Sequence, residues 1–297
     1  VRCSAFLIFS SCLAAAQLSP DEIIRRSVTA NERDWREAPS FALHDRNIER
    51  KDSQVIDHTY AVIMMQGSPY RKLIAIDNHP LSAERQRQED QKELRELARR
   101  RSETPEERES RLRKYQKDRE QDHMLMAQMA AAFKFHLVGE TTLAEHPVYI
   151  LDATPDPNYK PPTHEAKVLT GMQGRLWVDK NEFHWARVEA EVIRNVTFGG
   201  FLAKVGPGTR FVLEKEPVGG DIWQPKEFSV QVVSSILFFS HNSSTTDEFS
   251  DYRRGAAVAG LRHPAPAGAL DLHLESQKIE QILKGNDRKQ PVVVDHH

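Results

Sequence analysis

Cysteine is nearly missing, with two in 297 residues. Both Cys3 and Cys12 sit in the apolar N-terminal stretch. The rest of the chain therefore has no means of making a disulfide, a zinc–thiolate site or a cysteine nucleophile. Charge of one sign is missing as well. The net of −2 at pH 7 sets up no field that would draw the chain to nucleic acid or an anionic membrane. Catalytic signatures are absent too: no Gly-x-Ser-x-Gly elbow, no phosphate loop and no Gly-x-Gly-x-x-Gly fingerprint. His164-Glu165 lacks the second histidine of a zinc-binding helix, and the other histidines are scattered, so no metal is expected. Trp177, Phe183 and Trp185 could stack bases, but Glu189 and Glu191 beside them oppose that. The expectation is a protein that is not an enzyme and carries no cofactor. A hydrolase would need carboxylates and histidines such as His164, Asp179 and His184 to converge in a pocket.

What is present begins at the N-terminus. Arg2, the apolar run "AFLIFSSCLAAA" and the small residues Ala14 to Ala16 fit a secretory signal peptide over 1–16, which implies export. The run falls short of the roughly 20 residues of a membrane span. "FSSC" weakly resembles a lipoprotein processing site, which would acylate Cys12; release after Ala16 is the preferred expectation. Residues 17–254 read as one domain. The last stretch, 255–297, is poor in large apolar residues and reads as a mostly disordered tail.

Within the domain, Ser19, Pro20 and Glu22 form a capping box and open a helix over 19–33. Residues 55–76 read as a hairpin around a turn at Gly67-Ser68-Pro69. From 83 to 122 the composition changes: 25 of 40 residues are charged, 13 basic and 12 acidic. A second capping box at Thr104–Glu107 divides this stretch into helices over 83–101 and 105–132. Glu96/Arg100, Glu107/Arg111 and Glu109/Arg113 are spaced to pair along them. Such helices serve either as a solvated excursion kept soluble by balanced charge or as a contact surface for a partner.

From 135 to 254 the pattern is of strands with Gly, Pro and Asn turns, which means an antiparallel sheet. In "GRLWVDKNEFHWARVEAEVI", Ala186, Val188, Ala190 and Val192 alternate with Arg187, Glu189 and Glu191. Leu176 and Val178 supply the dry side of the partner strand, and Trp177 and Trp185 are expected together on the polar face. Farther on, Phe211 and Leu213, then Phe228, Val230 and Val232, extend the same apolar face. That face needs a cover of helices, a second sheet or a ligand. A fully packed core meets the need as well as a ligand cavity does.

The order of elements and the strand pair "LWVDK…ARVEAEV" resemble the LolA/LolB-like lipoprotein-carrier superfamily over about 41–76 and 129–254. The resemblance implies an α+β fold: a curved antiparallel sheet, or incomplete β-barrel, covered by helices, here with a long charged helical insertion. It also implies a periplasmic, non-enzymatic carrier of a lipid, a lipoprotein acyl chain or a similar hydrophobic ligand. The candidate ligand-binding residues are then Leu176, Val178, Val188, Val192, Phe211, Leu213, Phe228, Val230 and Val232. The charged helices 83–132 stand as an alternative, an envelope interaction or sensor module. No functional residue of the carriers maps onto this chain.

Overall fold

The computed structural model describes residues 18–51, 53–163, 165–198, 203–236 and 239–255. The expectations for 1–16, Cys12, His164 and 256–297 lie outside the described residues. The chain enters through α1 (Pro20–Glu37), passes a short 3-10 turn at Ala38–Ser40 and runs through β1 (Phe41–Lys51), β2 (Gln54–Met65), β3 (Ser68–Ile76) and β4 (His79–Pro80). Two helices follow, α2 (Ala83–Arg101) and α3 (Pro105–Ala132). The remainder is β5 (Phe133–Leu143), β6 (His146–Pro155), β7 (Met172–Asp179), β8 (Trp185–Val192), β9 (Val196–Phe198), β10 (Ala203–Val205), β11 (Arg210–Gly219), β12 (Ile222–Ile236) and β13 (Phe239–Arg254).

All the strands join one antiparallel sheet in the order β4-β3-β2-β1-β13-β12-β11-β8-β7-β6-β5, with β10 and β9 branching from β12. Among the described residues its two ends do not pair, so the fold is α+β with an open, curved sheet rather than a closed barrel. Helix boundaries follow the caps. The Ser19 side chain accepts from the Glu22 amide at 3.2 Å, while the Glu22 carboxylate turns to Arg25 and Arg26 instead of completing the box. At Thr104 both arms of the capping box form, and they hold Glu107. Arg111 therefore pairs with Glu103 rather than with Glu107. The first hairpin turns at Gln66-Gly67, whose φ values of 50° and 88° suit a two-residue turn. Ser68 and Pro69 already belong to β3.

A further expectation fails in the tryptophan hairpin. Trp177 and Trp185 do not share a face, because a bulge between Trp177/Arg187 and Val178/Trp185 shifts the register. Trp185 turns inward among Ile23, Ile24, Leu176 and Val178. Ala186 goes to the opposite side, with Val148 and Trp223. Trp177 stays outside, near the Arg187 guanidinium.

Cross-strand register shows how the inner face is built. One row runs Leu151–Leu176–Val188–Leu213–Phe228–Asp247–Asn47–His58. It is apolar over β6, β7, β8, β11 and β12, and becomes polar at β13 and β1. The next row runs Ala153–Gly174–Ala190–Phe211–Val230–Thr245–Glu49–Ile56, with the same change of character.

Candidate functional site

The apolar half of this face lies beneath α1 and α3. Ile23 and Ile24 of α1 are buried against Tyr149, Leu151, Leu176, Val178 and Trp185, and Met129 and Ala130 of α3 join them. A second buried group, including Phe133, Ala153, Met172 and Val192, continues the contact toward the end of α3. Between helices and sheet remains a hollow of about 30 Å³, more than the roughly 10–15 Å³ that one water needs. Its wall is apolar. Ile24, Met129 and Ala130 roof it, Phe133 and Phe135 flank it, and Leu176, Trp185 and Val188 close the other side.

Small residues in neighbouring strands cause the gap. Ala153, Gly174 and Ala190 lie side by side on β6, β7 and β8 and leave a shallow strip in the floor. A Cβ at Gly174 would come within 2.5 Å of the Glu189 carbonyl oxygen, so the strands approach too closely there for any side chain.

The nine candidate ligand-binding residues all lie on this one face by register, but only Leu176 and Val188 line the hollow. Val178 is buried under α1, and Val192 packs toward Phe133 with Phe211 beside it. Leu213, Val230 and Val232 are buried, and Phe228 is half-buried where the face turns polar. Phe133, Phe135, Ala153 and the small Gly174 also line the hollow and are not among the nine. Alternation of Phe133, Phe135 and Leu137 was the available signal for the aromatic pair.

A polar anchor fixes the far end of α1. Asp34 is almost fully buried; it accepts from the Lys215 ammonium at 2.5 Å and the Trp223 amide at 3.0 Å. Arg33 can only donate, so its 3.1 Å contact makes His184 Nε2 an acceptor, and His184 Nδ1 then donates to Asp34 at 2.9 Å. Burial by itself would raise the Asp34 carboxyl, but the Lys215 charge and the His184 bond outweigh it and hold the group below its usual value of 3.8. Burial presses the Lys215 ammonium below the usual lysine value, with Asp34 opposing. All members find partners within the protein, which makes the cluster a fastening between α1, β11 and β12.

The hydrolase geometry is not formed by the described pair. Asp179 donates its amide to the His184 carbonyl at 2.9 Å, but its carboxylate accepts from the Asn181 and Glu182 amides while the His184 ring turns to Asp34. Among the described residues no group of three or more His, Cys, Asp or Glu is placed to hold a metal. Among the same residues no helix is long and apolar enough to cross a membrane.

No family model and no curated protein matches the chain. Solved structures do. The chain is similar to the LolA superfamily protein NE2245 from Nitrosomonas europaea, at 10% identity over 80% of this chain and 94% of that one, with a TM-score of 0.30. It is similar to a putative outer membrane lipoprotein-sorting protein domain from Vibrio parahaemolyticus, at 12% identity over 81% and 95%, with a TM-score of 0.31. It is also similar to a chain of the MucA/MucB complex of Pseudomonas aeruginosa, at 10% identity over 80% and 99%, with a TM-score of 0.24. The first two neighbours are in the group that the sequence resemblance names.

Proposed function

We propose that this chain is a non-enzymatic binding protein that shelters the acyl chain of a lipid or lipoprotein against the apolar half of its inner sheet face. The observation that supports it is the apolar gap over Ala153, Gly174 and Ala190, roofed by Ile24, Met129 and Ala130. The hollow as it stands is small, whereas small-molecule pockets span about 300–1,000 Å³. A chain therefore enters as Ile24 and Met129 move aside, and its own methylenes replace the apolar contacts they made. Each buried methylene contributes about 0.8 kcal/mol, enough for useful affinity with no polar recognition. Leu176 and Val188 contact the chain first, and the other seven candidates extend the surface. Export to the periplasm belongs to the same proposal and rests on the N-terminal run after Arg2.

The test is uptake of a fluorescent fatty acid, paired with native mass spectrometry of protein purified from its own envelope. Saturable uptake and co-purifying lipid are expected, with uptake lost in Ala190→Phe, which fills the floor. No uptake by the wild-type chain, together with a bare protein mass, contradicts the proposal. The alternative, a partner gripped by helices 83–132, has less support, because Arg100 and Arg111 are committed to the first hairpin.

A further inference from the structure

The two ends of the sheet are finished differently. At one end β5 pairs with β6 alone among the described residues, and a bulge between Leu137 and Gly139 leaves Val138 51% exposed. At the other end β3 pairs with β2 and meets the two-residue β4 only at Ala75 and Ile76. Among the described residues, most of its outer edge thus has no strand beside it.

The charged helices occupy that place. Lys72 of β3 donates to Asp90 and Glu93 of α2 at 2.5 and 2.8 Å. Arg100, with its side chain only 8% exposed, donates to the carbonyls of Met65, Ser68 and Pro69 at 2.7, 2.9 and 3.1 Å. Arg111 of α3 reaches the Gln66 carbonyl at 3.2 Å and the Ser68 hydroxyl at 2.7 Å. Each arginine is steadied by an acid, Glu96 for Arg100 and Glu103 for Arg111. Main-chain carbonyls where β3 begins are thus already occupied.

We infer that α2 and α3 form an edge guard, an intramolecular contact that keeps β3 of one copy from pairing with β5 of a second copy of this chain. Pairing of two different edges is head-to-tail, and it grows without limit unless the rotation between copies closes a ring. Among the described residues nothing pairs with the outer edge of β5. Covering β3 is then sufficient to stop growth, and the bulge in β5 blunts pairing of two β5 edges. The second copy fits the freed edge in length and charge. β5 spans 11 residues against the 9 of β3. Lys72 would be released from Asp90 and Glu93, and it would compete with Lys180 for Glu140, which lies half-exposed on β5. This inference stands apart from the proposed ligand.

The experiment is sedimentation velocity of the full chain over a wide concentration range, with far-UV circular dichroism alongside. The wild-type chain should give one species at every concentration. Arg100→Gln/Arg111→Gln should give a ladder of species that lengthens with concentration. Arg113→Gln/Arg210→Gln removes as much charge from pairs open to solvent and should behave as wild type. Arg100→Lys, which keeps the charge but not the fan of bonds, covers the case in which the double variant unfolds; it should associate weakly. The idea is overturned if folded Arg100→Gln/Arg111→Gln or folded Arg100→Lys stays a single species. It is equally overturned if the exposed-pair control associates to the same extent.

Discussion

The two halves of the inner sheet face are held by different physics. Over β6, β7, β8, β11 and β12 the cross-strand rows are Leu, Val, Ala and Phe, covered by helices that bring Ile23, Ile24 and Met129. Over β13, β1, β2 and β3 the same rows continue as Asp247, Asn47 and His58, with Asn47 donating to Asp247 at 2.5 Å and Arg71 to Asp45 at 2.5 Å. An apolar contact has no direction and can be exchanged for another apolar group with little net loss. A buried hydrogen bond has a fixed partner and is costly to leave unmade. The apolar half is therefore suited to give way to a ligand, and the polar half to stay rigid.

Substitutions can break this contrast, and the largest effect is expected at the anchor between helix and sheet. Asp34→Ala leaves Lys215 buried with no counter-charge and the Trp223 amide without its acceptor. It should cost about 3–5 kcal/mol in denaturant unfolding. Leu176→Ala enlarges the hollow and should cost about 2–5 kcal/mol. It should also change fatty-acid uptake, which a polar-half variant should not. In the charged helices Arg100→Ala should cost about 2 kcal/mol, through lost bonds to buried carbonyls. The exposed Arg113→Ala should leave unfolding unchanged within error, because its pair with Glu109 is open to solvent.

Acid sharpens the same contrast. Bonds from Arg99, with Arg100 adding to them against the cost of partial burial, lower Glu96 from 4.5 to about 2. Asp34 is lowered from 3.8 as described. Both ionised groups favour the fold above their unfolded values. That contribution is lost as pH falls through the folded ones. The melting temperature should stay level from neutral pH to about 4.5 and then drop toward pH 2. Glu96→Gln should flatten part of that drop.

Much of this fold is legible in the sequence because its signals are local. The bounds of α2 and α3 follow from Thr104, Pro105 and the change of composition, and the strands from 172 onward follow from alternation. β1 is not legible, although it lies inside the sheet. Its inward Asp45, Asn47 and Glu49 are polar, and an alternation test finds only faces that are apolar on one side. The bulge that separates Trp177 from Trp185 depends on strand pairing across the hairpin, so it leaves no periodic trace. The hollow depends on Ala153, Gly174 and Ala190 standing side by side, and no spacing along the chain shows that. Arg100 and Arg111 look like surface charges until the first hairpin is placed beneath them.

The most direct measurement is the binding isotherm of a fluorescent fatty acid for wild type, Ala190→Phe and Arg113→Ala, with folding checked by circular dichroism. Saturable binding by wild type and Arg113→Ala, lost in folded Ala190→Phe, is the predicted result. Equal binding by all three, or none by any, contradicts a ligand seated on the inner apolar face.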